Sequence, residues 1–336
     1  MDAWRAEGHA ANSVIYLPPH DKWRAMRRFA ATELFAKGRL DARQPLRQEK
    51  VQEMVGHISE HAARGEPVDV GHAAFVTALD LLSRTLYSID LGTEDVRHMH
   101  GEGSLGAGRD TNNFGRCSSL GSRRSTRRAT QVGCIDQIIN GQFAGRRCGR
   151  DAGEPRKNDM MDVVLDKEQE WKERGSPMNY DAVKGMFTEF FVAGTETTSS
   201  TVEWAMAELL RHPESMKKVK EELKTVISTK TVMEESDINK LPYLQAVFMP
   251  ERFIANDISF WSKDFELIPF GAGRRMCLGL PLAHRMVHLM LGSLLHNFNW
   301  TLPPDIEENG IDMTEIFGAV VSMATPLKAI AYKCGE

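Results

Sequence analysis

A single cysteine, Cys277, has surroundings that favour metal ligation. It lies in the run PFGAGRRMCLG, residues 269–279, which is punctuated by glycine and followed at once by a stretch rich in leucine and methionine. The positive end of the following helix and the nearby cations Arg274 and Arg275 would stabilise a thiolate. A thiolate is the form of cysteine that binds a soft metal or a haem iron. The sequence therefore predicts that Cys277 is a metal ligand.

The residues around Cys277 suit a haem better than a bare ion. Zinc and iron–sulfur sites need several Cys or His ligands at close spacing, whereas haem iron needs one strong axial ligand. Gly273 and Gly279 would let the backbone approach a flat macrocycle. Phe270 could pack beside the sulfur, and Arg275 could pair with an anionic propionate. The alternative is a buried structural cysteine, a common state for a free thiol. The other cysteines are scattered and show no metal-ligand spacing: Cys117, Cys134, Cys148 and Cys334.

The same loop resembles the cysteine-ligand loop of the cytochrome P450 family, the haem-thiolate monooxygenases. Every fixed position of the pattern Phe-x-x-Gly-x-Arg-x-Cys-x-Gly is present between residues 270 and 279. The chain looks like a plant microsomal member that hydroxylates terpenoids and similar lipophilic metabolites. The resemblance implies haem b (iron protoporphyrin IX) as cofactor, dioxygen and a lipophilic small molecule as substrates, and electrons from NADPH through an NADPH-cytochrome reductase.

The fold implied by the resemblance is mainly α with small β elements, in an incomplete form. We expect a partial N-terminal helical region with a propionate-binding helix at 1–97, and a segment without regular structure at 98–133. A haem-binding helical core should occupy 134–336. This core should contain a long distal helix over 179–212, the cysteine loop 269–279 and a C-terminal hairpin. The break His-Pro that follows residue 211 is the reason to end the distal helix there, because proline cannot continue a helix.

A second motif lies near the N-terminus. Trp23 and Arg27 are four residues apart, so in a helix they share one face. The family uses a Trp-x-x-x-Arg of this kind to hold the haem propionates, and the two residues match it. The alternative interpretation is an ordinary amphipathic helix with a surface arginine.

The predicted distal helix contains the run AGTETT, residues 193–198, which is poor in helix formers. Threonine side chains can compete for backbone hydrogen bonds and bend a helix, so we expect a local opening here. By resemblance, Glu196 and Thr197 form the acid–alcohol pair of the family. Thr197 would orient a water and Glu196 would relay protons from solvent, while Ala193 and Gly194 would lie against haem and substrate. The alternative is a kinked core helix with a solvated glutamate.

The segment 98–133 departs from the family pattern. It is dense in Gly, Ser and Arg, has hardly any apolar residues, and cannot bury a core. It could be a flexible basic linker or a nucleic-acid patch. A third hypothesis is a frame-shifted or misjoined stretch of the coding sequence.

A second departure follows Val247. The family continues there into a helix with Glu-x-x-Arg and several strands, whereas this chain runs almost directly into PERF, residues 250–253. Arg252 resembles the third member of a Glu–Arg–Arg cluster whose partners are missing. A buried arginine without its acid is costly, so we expect a loosened haem pocket and impaired haem incorporation.

Composition narrows the function classes. The 42% hydrophobic and 26% charged fractions are those of a globular protein, and the net charge of −4 gives no reason to expect nucleic-acid binding. No stretch is long and apolar enough to span a bilayer, and the first residues form neither a signal peptide nor an anchor. Attachment to the cytosolic face of the endoplasmic-reticulum membrane is implied only by the resemblance, and a cytoplasmic protein is the alternative. We expect a monomer.

Three other functions compete with the monooxygenase. A non-catalytic truncated homologue or gene-model fragment, binding haem poorly, is favoured by the two departures. A haem-thiolate isomerase or dehydratase is disfavoured by the pair Glu196 and Thr197. A nucleic-acid-binding module is disfavoured by the acidic net charge and the lack of a recognition motif.

Overall fold

The computed structural model describes residues 9–91, 124–228, 230, 232–246, 268–318 and 320–334. The chain divides into two compact units. The first unit combines 1–34 with 82–192, and the second combines 35–81 with 193–336. The described residues are mostly helical with a few short strands, which confirms the predicted fold class.

Helices dominate both units. In chain order they are α1 (Asp21–Phe29), α2 (Lys37–Ala42), α3 (Gln44–Arg64), α4 (Val70–Tyr87), α5 (Arg124–Asp151), α6 (Met160–Glu173), α7 (Tyr180–Arg211), α8 (Pro213–Ile227), α9 (Glu235–Ile238), α10 (Pro242–Gln245), α11 (Leu280–Asn297) and α12 (Pro304–Asn309). Shorter helical turns occur at His9–Asn12, Ala30–Leu34 and Gly273–Arg275. The end of α3 shows how glycine stops a helix. Gly65 takes a φ of 65°, and its N–H bonds back to the carbonyl of Ala62 at 3.1 Å.

The first unit is built around aromatic side chains. Tyr87 stacks on Phe191 with ring centroids 5.6 Å apart and meets Phe187 edge-on at 5.8 Å. Phe143 of α5 lies 6.3 Å from Phe187. Aromatic rings bury large apolar areas and prefer such offset or edge-on contacts, so this cluster joins the end of α4, α5 and the first half of α7.

The second unit contains a large apolar cluster and, among the described residues, the five strands. Its core side chains come from α3, the start of α4, the second half of α7, α8 and α11. The strands are β1 (Val68–Asp69), β2 (Phe298–Thr301), β3 (Glu315–Ile316), β4 (Ser322–Met323) and β5 (Lys328–Lys333). They form an antiparallel sheet in the order β1-β5-β2 and a separate β3-β4 hairpin. The register pairs Val68 with Ala329 and Phe298 with Lys333. The hairpin lies in the C-terminal segment where a hairpin was expected.

The long helix predicted over 179–212 is α7, whose ends are Tyr180 and Arg211. The expectation of irregular chain over 98–133 is wrong for 124–133, because α5 begins at Arg124. Arginine and alanine are good helix formers, and this local propensity outweighs the scarcity of apolar residues. The remainder of that segment, 98–123, lies outside the described residues. Within the described part of the chain, none of the helices has the length and apolar composition that crossing a bilayer requires.

Candidate functional site

The cysteine loop, residues 268–279, closes on itself through backbone hydrogen bonds. The N–H of Cys277 donates to the carbonyl of Phe270 at 2.9 Å, and that of Gly271 donates to Ile268 at 3.0 Å. Gly271 and Gly273 both have a φ of 70°, a conformation that side chains disfavour. The loop therefore requires glycine at 273 for its own backbone, in addition to the expected approach of a macrocycle.

The thiol of Cys277 is exposed just before the start of α11. The N–H groups of Leu282 and Ala283 donate to the carbonyl of Gly279 at 3.0 and 2.8 Å, so the first turn of α11 begins at this glycine. A Cβ placed on Gly279 would lie 3.8 Å from the sulfur, an ordinary van der Waals distance. Glycine thus leaves the space next to the sulfur open, at the positive end of a helix.

This donor set fits a haem iron. Cys277 offers one soft ligand, and Arg274 and Arg275 lie exposed on the adjoining 3-10 turn, where a guanidinium can pair with a carboxylate. Phe270 is half-buried in the same loop. Over the described ranges, no cluster of three or more His, Cys, Asp or Glu side chains could hold a metal ion. A macrocycle that brings its own four nitrogens needs only the single ligand that Cys277 provides.

The middle of α7 presents small side chains to the outside. Ala193 and Thr197 are exposed and Gly194 is half-buried, whereas Thr195 is buried and Glu196 lies between these extremes. Thr197 lies one helical turn from both Ala193 and Gly194, because it follows them by four and three residues. Small side chains and one hydroxyl therefore occupy this part of the helix surface.

The predicted opening of this helix is wrong. The Thr197 hydroxyl donates to the carbonyl of Ala193 at 2.6 Å, and the Thr201 hydroxyl donates to that of Thr197 at 2.7 Å. Ser199 makes the same kind of bond to Thr195 at 3.0 Å, and α7 stays helical through the whole segment. The hydroxyls share carbonyls that already accept helical bonds, so they are satisfied without displacing the backbone.

Trp23 and Arg27 lie on α1 in the first unit. The guanidinium carbon of Arg27 stands over the Trp23 ring, 5.1 Å from its centroid, a cation–π arrangement. The indole N–H of buried Trp23 donates to the carbonyl of Val14 at 3.0 Å. Because an indole has a single donor, Trp23 in this structure orients Arg27 by stacking and does not present its own N–H to a ligand.

Glu203, which follows Thr197 by six residues on α7, was not singled out from the sequence. Its carboxylate accepts a hydrogen bond from the Leu327 N–H at 3.0 Å, and a Cβ on Gly71 would lie 2.6 Å from its Cδ. The side chain is buried with an exposure of 9%. The available signal was helical periodicity, which places Glu203 with Val202 and Met206 on the buried face.

The C-terminal hairpin contacts the same stretch of α7. The carbonyl of Val321 accepts from the Ser200 hydroxyl at 2.9 Å and from the indole of Trp204 at 3.3 Å. Phe317, which follows β3 in the same connection between the two strands, is 79% exposed. Arg252 and the segment 250–253 lie outside the described residues.

Comparison with protein families gives a match in two pieces. The profile of the cytochrome P450 family matches residues 3–248 and 246–330, which together cover most of the chain. The two pieces meet at 246–248, where the sequence departs from the pattern that should continue into a Glu-x-x-Arg helix.

Individual relatives agree. Cytochrome P450 monooxygenase 76AD131 of Lophophora williamsii is 37% identical over 395 positions, covering 98% of this chain and 78% of that protein. Cytochrome P450 76C2 of Arabidopsis thaliana is 35% identical, covering 98% and 77%. Geraniol 8-hydroxylase of Catharanthus roseus is 36% identical, covering 96% and 78%.

The matched region is longer in the relatives than in this chain. An alignment of 395 positions exceeds the 336 residues of this chain, so the relatives contain internal segments that it lacks. The fixed residues of the cysteine loop, the family profile and the identity to these relatives all point the same way. The chain therefore belongs to the cytochrome P450 family, as an incomplete plant-type member of these haem-dependent monooxygenases.

Proposed function

We propose that this chain carries the machinery to insert one atom of dioxygen into a lipophilic, terpenoid-like small molecule. The observation that carries the proposal is the exposed thiol of Cys277 in a glycine-shaped loop at the start of α11. The substrate class is supported by relatives named geraniol 8-hydroxylase in Catharanthus roseus and Swertia mussotii, at 36% and 34% identity. A haem b, when bound, supplies the activation of dioxygen and the transfer of oxygen.

The residues of the cysteine loop would hold the cofactor. The Cys277 sulfur would bind the iron and donate electron density to it. Arg275 would pair with a propionate, and Phe270 would shield the sulfur from water. Gly273 and Gly279 keep the loop backbone compact and the space beside the sulfur open.

On α7, small residues and one acid–alcohol pair do the remaining work. Ala193 and Gly194 leave room for the macrocycle and the substrate. Thr197 donates its own proton to the Ala193 carbonyl, so its oxygen can accept a hydrogen bond from a water. Glu196 then passes protons from solvent to that water. Trp23 and Arg27 are proposed to hold propionates on the strength of their motif, with Arg27 as the contacting group and Trp23 as its support.

The family membership implies a redox partner. We propose that electrons come from NADPH through an NADPH-cytochrome reductase, and that the protein works as a monomer on the cytosolic face of the endoplasmic reticulum. These statements rest on the family alone.

A second candidate function follows from the missing internal segments. The chain would then be a truncated homologue that binds haem poorly and does not turn over. The support is the split of the family match at 246–248 and the excess length of the relatives' alignments. The two candidates share Cys277 and differ in whether haem stays bound.

A reconstitution experiment tests both. The purified protein is mixed with excess haemin, reduced, and exposed to carbon monoxide, and its difference spectrum is compared with those of Cys277→Ala and Cys148→Ala. Cys148 is also an exposed thiol, so it controls for loss of a cysteine. We expect the thiolate-type band in the wild-type protein and Cys148→Ala, and its loss in Cys277→Ala.

Identical spectra for the wild-type protein and Cys277→Ala would refute Cys277 as the ligand. A wild-type protein that retains no haem after gel filtration would establish the truncated, non-catalytic alternative.

A further inference from the structure

A partly buried ion cluster connects the helix that follows Cys277 to three other elements of its unit. The Glu235 cluster consists of Arg47 on α3, Glu235 on α9, Arg285 on α11 and Asp41 on α2. Both Nε and Nη2 of Arg47 bond to the Glu235 carboxylate, the latter at 2.9 Å. Arg285 Nη1 reaches the same carboxylate at 3.3 Å, and its Nη2 lies 2.8 Å from Asp41. One carboxylate thus bridges two guanidinium groups.

Burial makes this geometry hard to abandon. The side chains of Arg47 and Glu235 are only 1% and 8% exposed, and that of Arg285 is 20% exposed. Arg47 Nη2 also donates to the carbonyl of Leu40 at 2.8 Å. A buried charge is tolerated only when it is paired and hydrogen-bonded, so Arg47 fixes Glu235, and Glu235 in turn fixes Arg285.

Arg285 lies in the less buried first part of α11. From Met286 to Leu295 every residue of the helix is buried, whereas 281–285 are half-buried. Helix α11 packs against α3, α8 and α9. The turns nearest the cysteine are therefore attached by buried Leu280, by Leu282, which packs against the apolar core, and by the polar contacts of Arg285.

From this placement we propose that Glu235 and Arg285 are positioning residues for Cys277. They hold the first two turns of α11 in register with α9 and α3, and the cysteine loop ends where α11 begins. The inference rests on the proposed role of Cys277 as haem ligand, but the Glu235 cluster itself is present in the haem-free protein.

The test uses two variants. One leaves the Arg47–Glu235 ion pair in place, and the other replaces Glu235 by a side chain of the same shape. Arg285→Met removes the link to α11 and leaves the Arg47–Glu235 pair intact, so the unit should still fold. Glu235→Gln keeps the shape and removes the charge. Arg64→Met is the matched control, because Arg64 forms an ion pair with Glu66 in which both side chains are about half exposed, at 49% and 51%.

Hydrogen exchange in the haem-free full chain is the first measurement. We expect peptides that cover 280–288 to exchange about tenfold faster or more in Arg285→Met and Glu235→Gln, with no change in Arg64→Met, since local opening free energies set exchange rates. Arg285→Lys should restore part of the protection, because one donor can still reach the carboxylate. Unchanged exchange in both variants would show that the Glu235 cluster does not hold the start of α11.

The spectrum of the reconstituted protein is the second measurement. If the Glu235 cluster positions Cys277, a smaller fraction of the carbon-monoxide complex should have a thiolate-type spectrum in Arg285→Met. The melting temperature of this variant should stay close to that of the wild-type protein. Asp41→Asn should have little effect, as Asp41 is 50% exposed. An effect of Asp41→Asn as large as that of Arg285→Met would overturn the role of Glu235. A wild-type chain without any thiolate-type spectrum would refute the proposed function. Hydrogen exchange would still show whether the Glu235 cluster holds the start of α11.

Discussion

Glu203 illustrates how a single residue acquires its chemistry from burial. Burial raises the pKa of this carboxyl to about 7, the hydrogen bond from the Leu327 N–H opposes the rise, and the negative charge of Asp69 adds to it. The carboxyl packs on Gly71, where any side chain would collide with it. At neutral pH a fraction of the molecules therefore keeps an acid proton at the contact between α7 and the residue before β5.

This pKa predicts a stability that falls between pH 4.5 and 7. The folded state holds the Glu203 proton up to a pKa of about 7, whereas the unfolded chain releases it near the ordinary pKa of a glutamate, 4.5. In that window the folded state binds more protons, so the free energy of unfolding decreases as pH rises, by up to about 3 kcal/mol for this group. Glu203→Gln should remove this slope and make the protein more stable at pH 8.

Urea unfolding of the haem-free protein at pH 5 and pH 8 measures the effect. Glu308→Gln, at an exposed glutamate of α12, controls for a change in net charge. The pH dependence assigned to Glu203 would be disproved by equal slopes in the wild-type protein and Glu203→Gln.

At the scale of elements, the start of α6 is held by an arginine–aspartate network. Asp159 caps the helix by accepting from the Asp162 N–H at 3.0 Å, and it also binds Arg146 at 2.8 Å and the Ser88 hydroxyl at 2.8 Å. Burial by itself would raise the pKa of Asp162, but hydrogen bonds from Arg150, the backbone and Arg146 hold it below its usual value. This network joins α5, α6 and the residue that follows α4 within the first unit.

Asp159→Ala should therefore destabilise the first unit strongly. The loss combines a helix cap, worth about 1 kcal/mol, with a buried Arg146 that loses its best partner, for a total of about 3 kcal/mol. Thermal unfolding followed by circular dichroism measures it. Asp166→Ala is the control, because Asp166 is 40% exposed in its pairs with Arg150 and Arg156 and should matter by less than about 0.5 kcal/mol. Equal losses for the two variants would contradict the network's role.

At the scale of the whole molecule, the chain combines an intact cysteine loop with an interrupted framework. The family profile matches this chain in two pieces, residues 3–248 and 246–330, which overlap at 246–248. The interruption therefore lies inside the matched region and not at one of its ends. The Glu-x-x-Arg helix and the strands expected after residue 247 have no counterpart in the sequence. A ligand without its supporting framework should bind the cofactor weakly.

A chimera tests this interpretation. Inserting between residues 247 and 250 the corresponding segment of the Catharanthus roseus relative should raise the haem content of the purified protein several-fold, because the inserted acid would pair the arginine that follows it. Pyridine haemochrome assay of both proteins after identical expression measures haem per chain. An insert in which the Glu and Arg of Glu-x-x-Arg are both replaced by alanine is the control. A chimera with no more haem than the original chain would place the defect elsewhere.

What the sequence determined by itself was local. The cysteine loop was legible because its fixed residues lie within ten positions, and the end of α7 was legible because proline stops a helix. Two predictions from composition were wrong. The opening of α7 does not occur, because the threonine hydroxyls bond to carbonyls of the intact helix. Residues 124–133 are helical, because local helix propensity outweighed the scarcity of apolar residues.

Only the tertiary structure decided the long-range pairings. Glu235 and Arg285 are separated by 50 residues, and Glu203 and Leu327 by 124. No periodicity or spacing relates such positions. Their partners, burial and pKa are fixed by which elements pack together, and the desolvation that makes these groups matter exists only once the chain has folded.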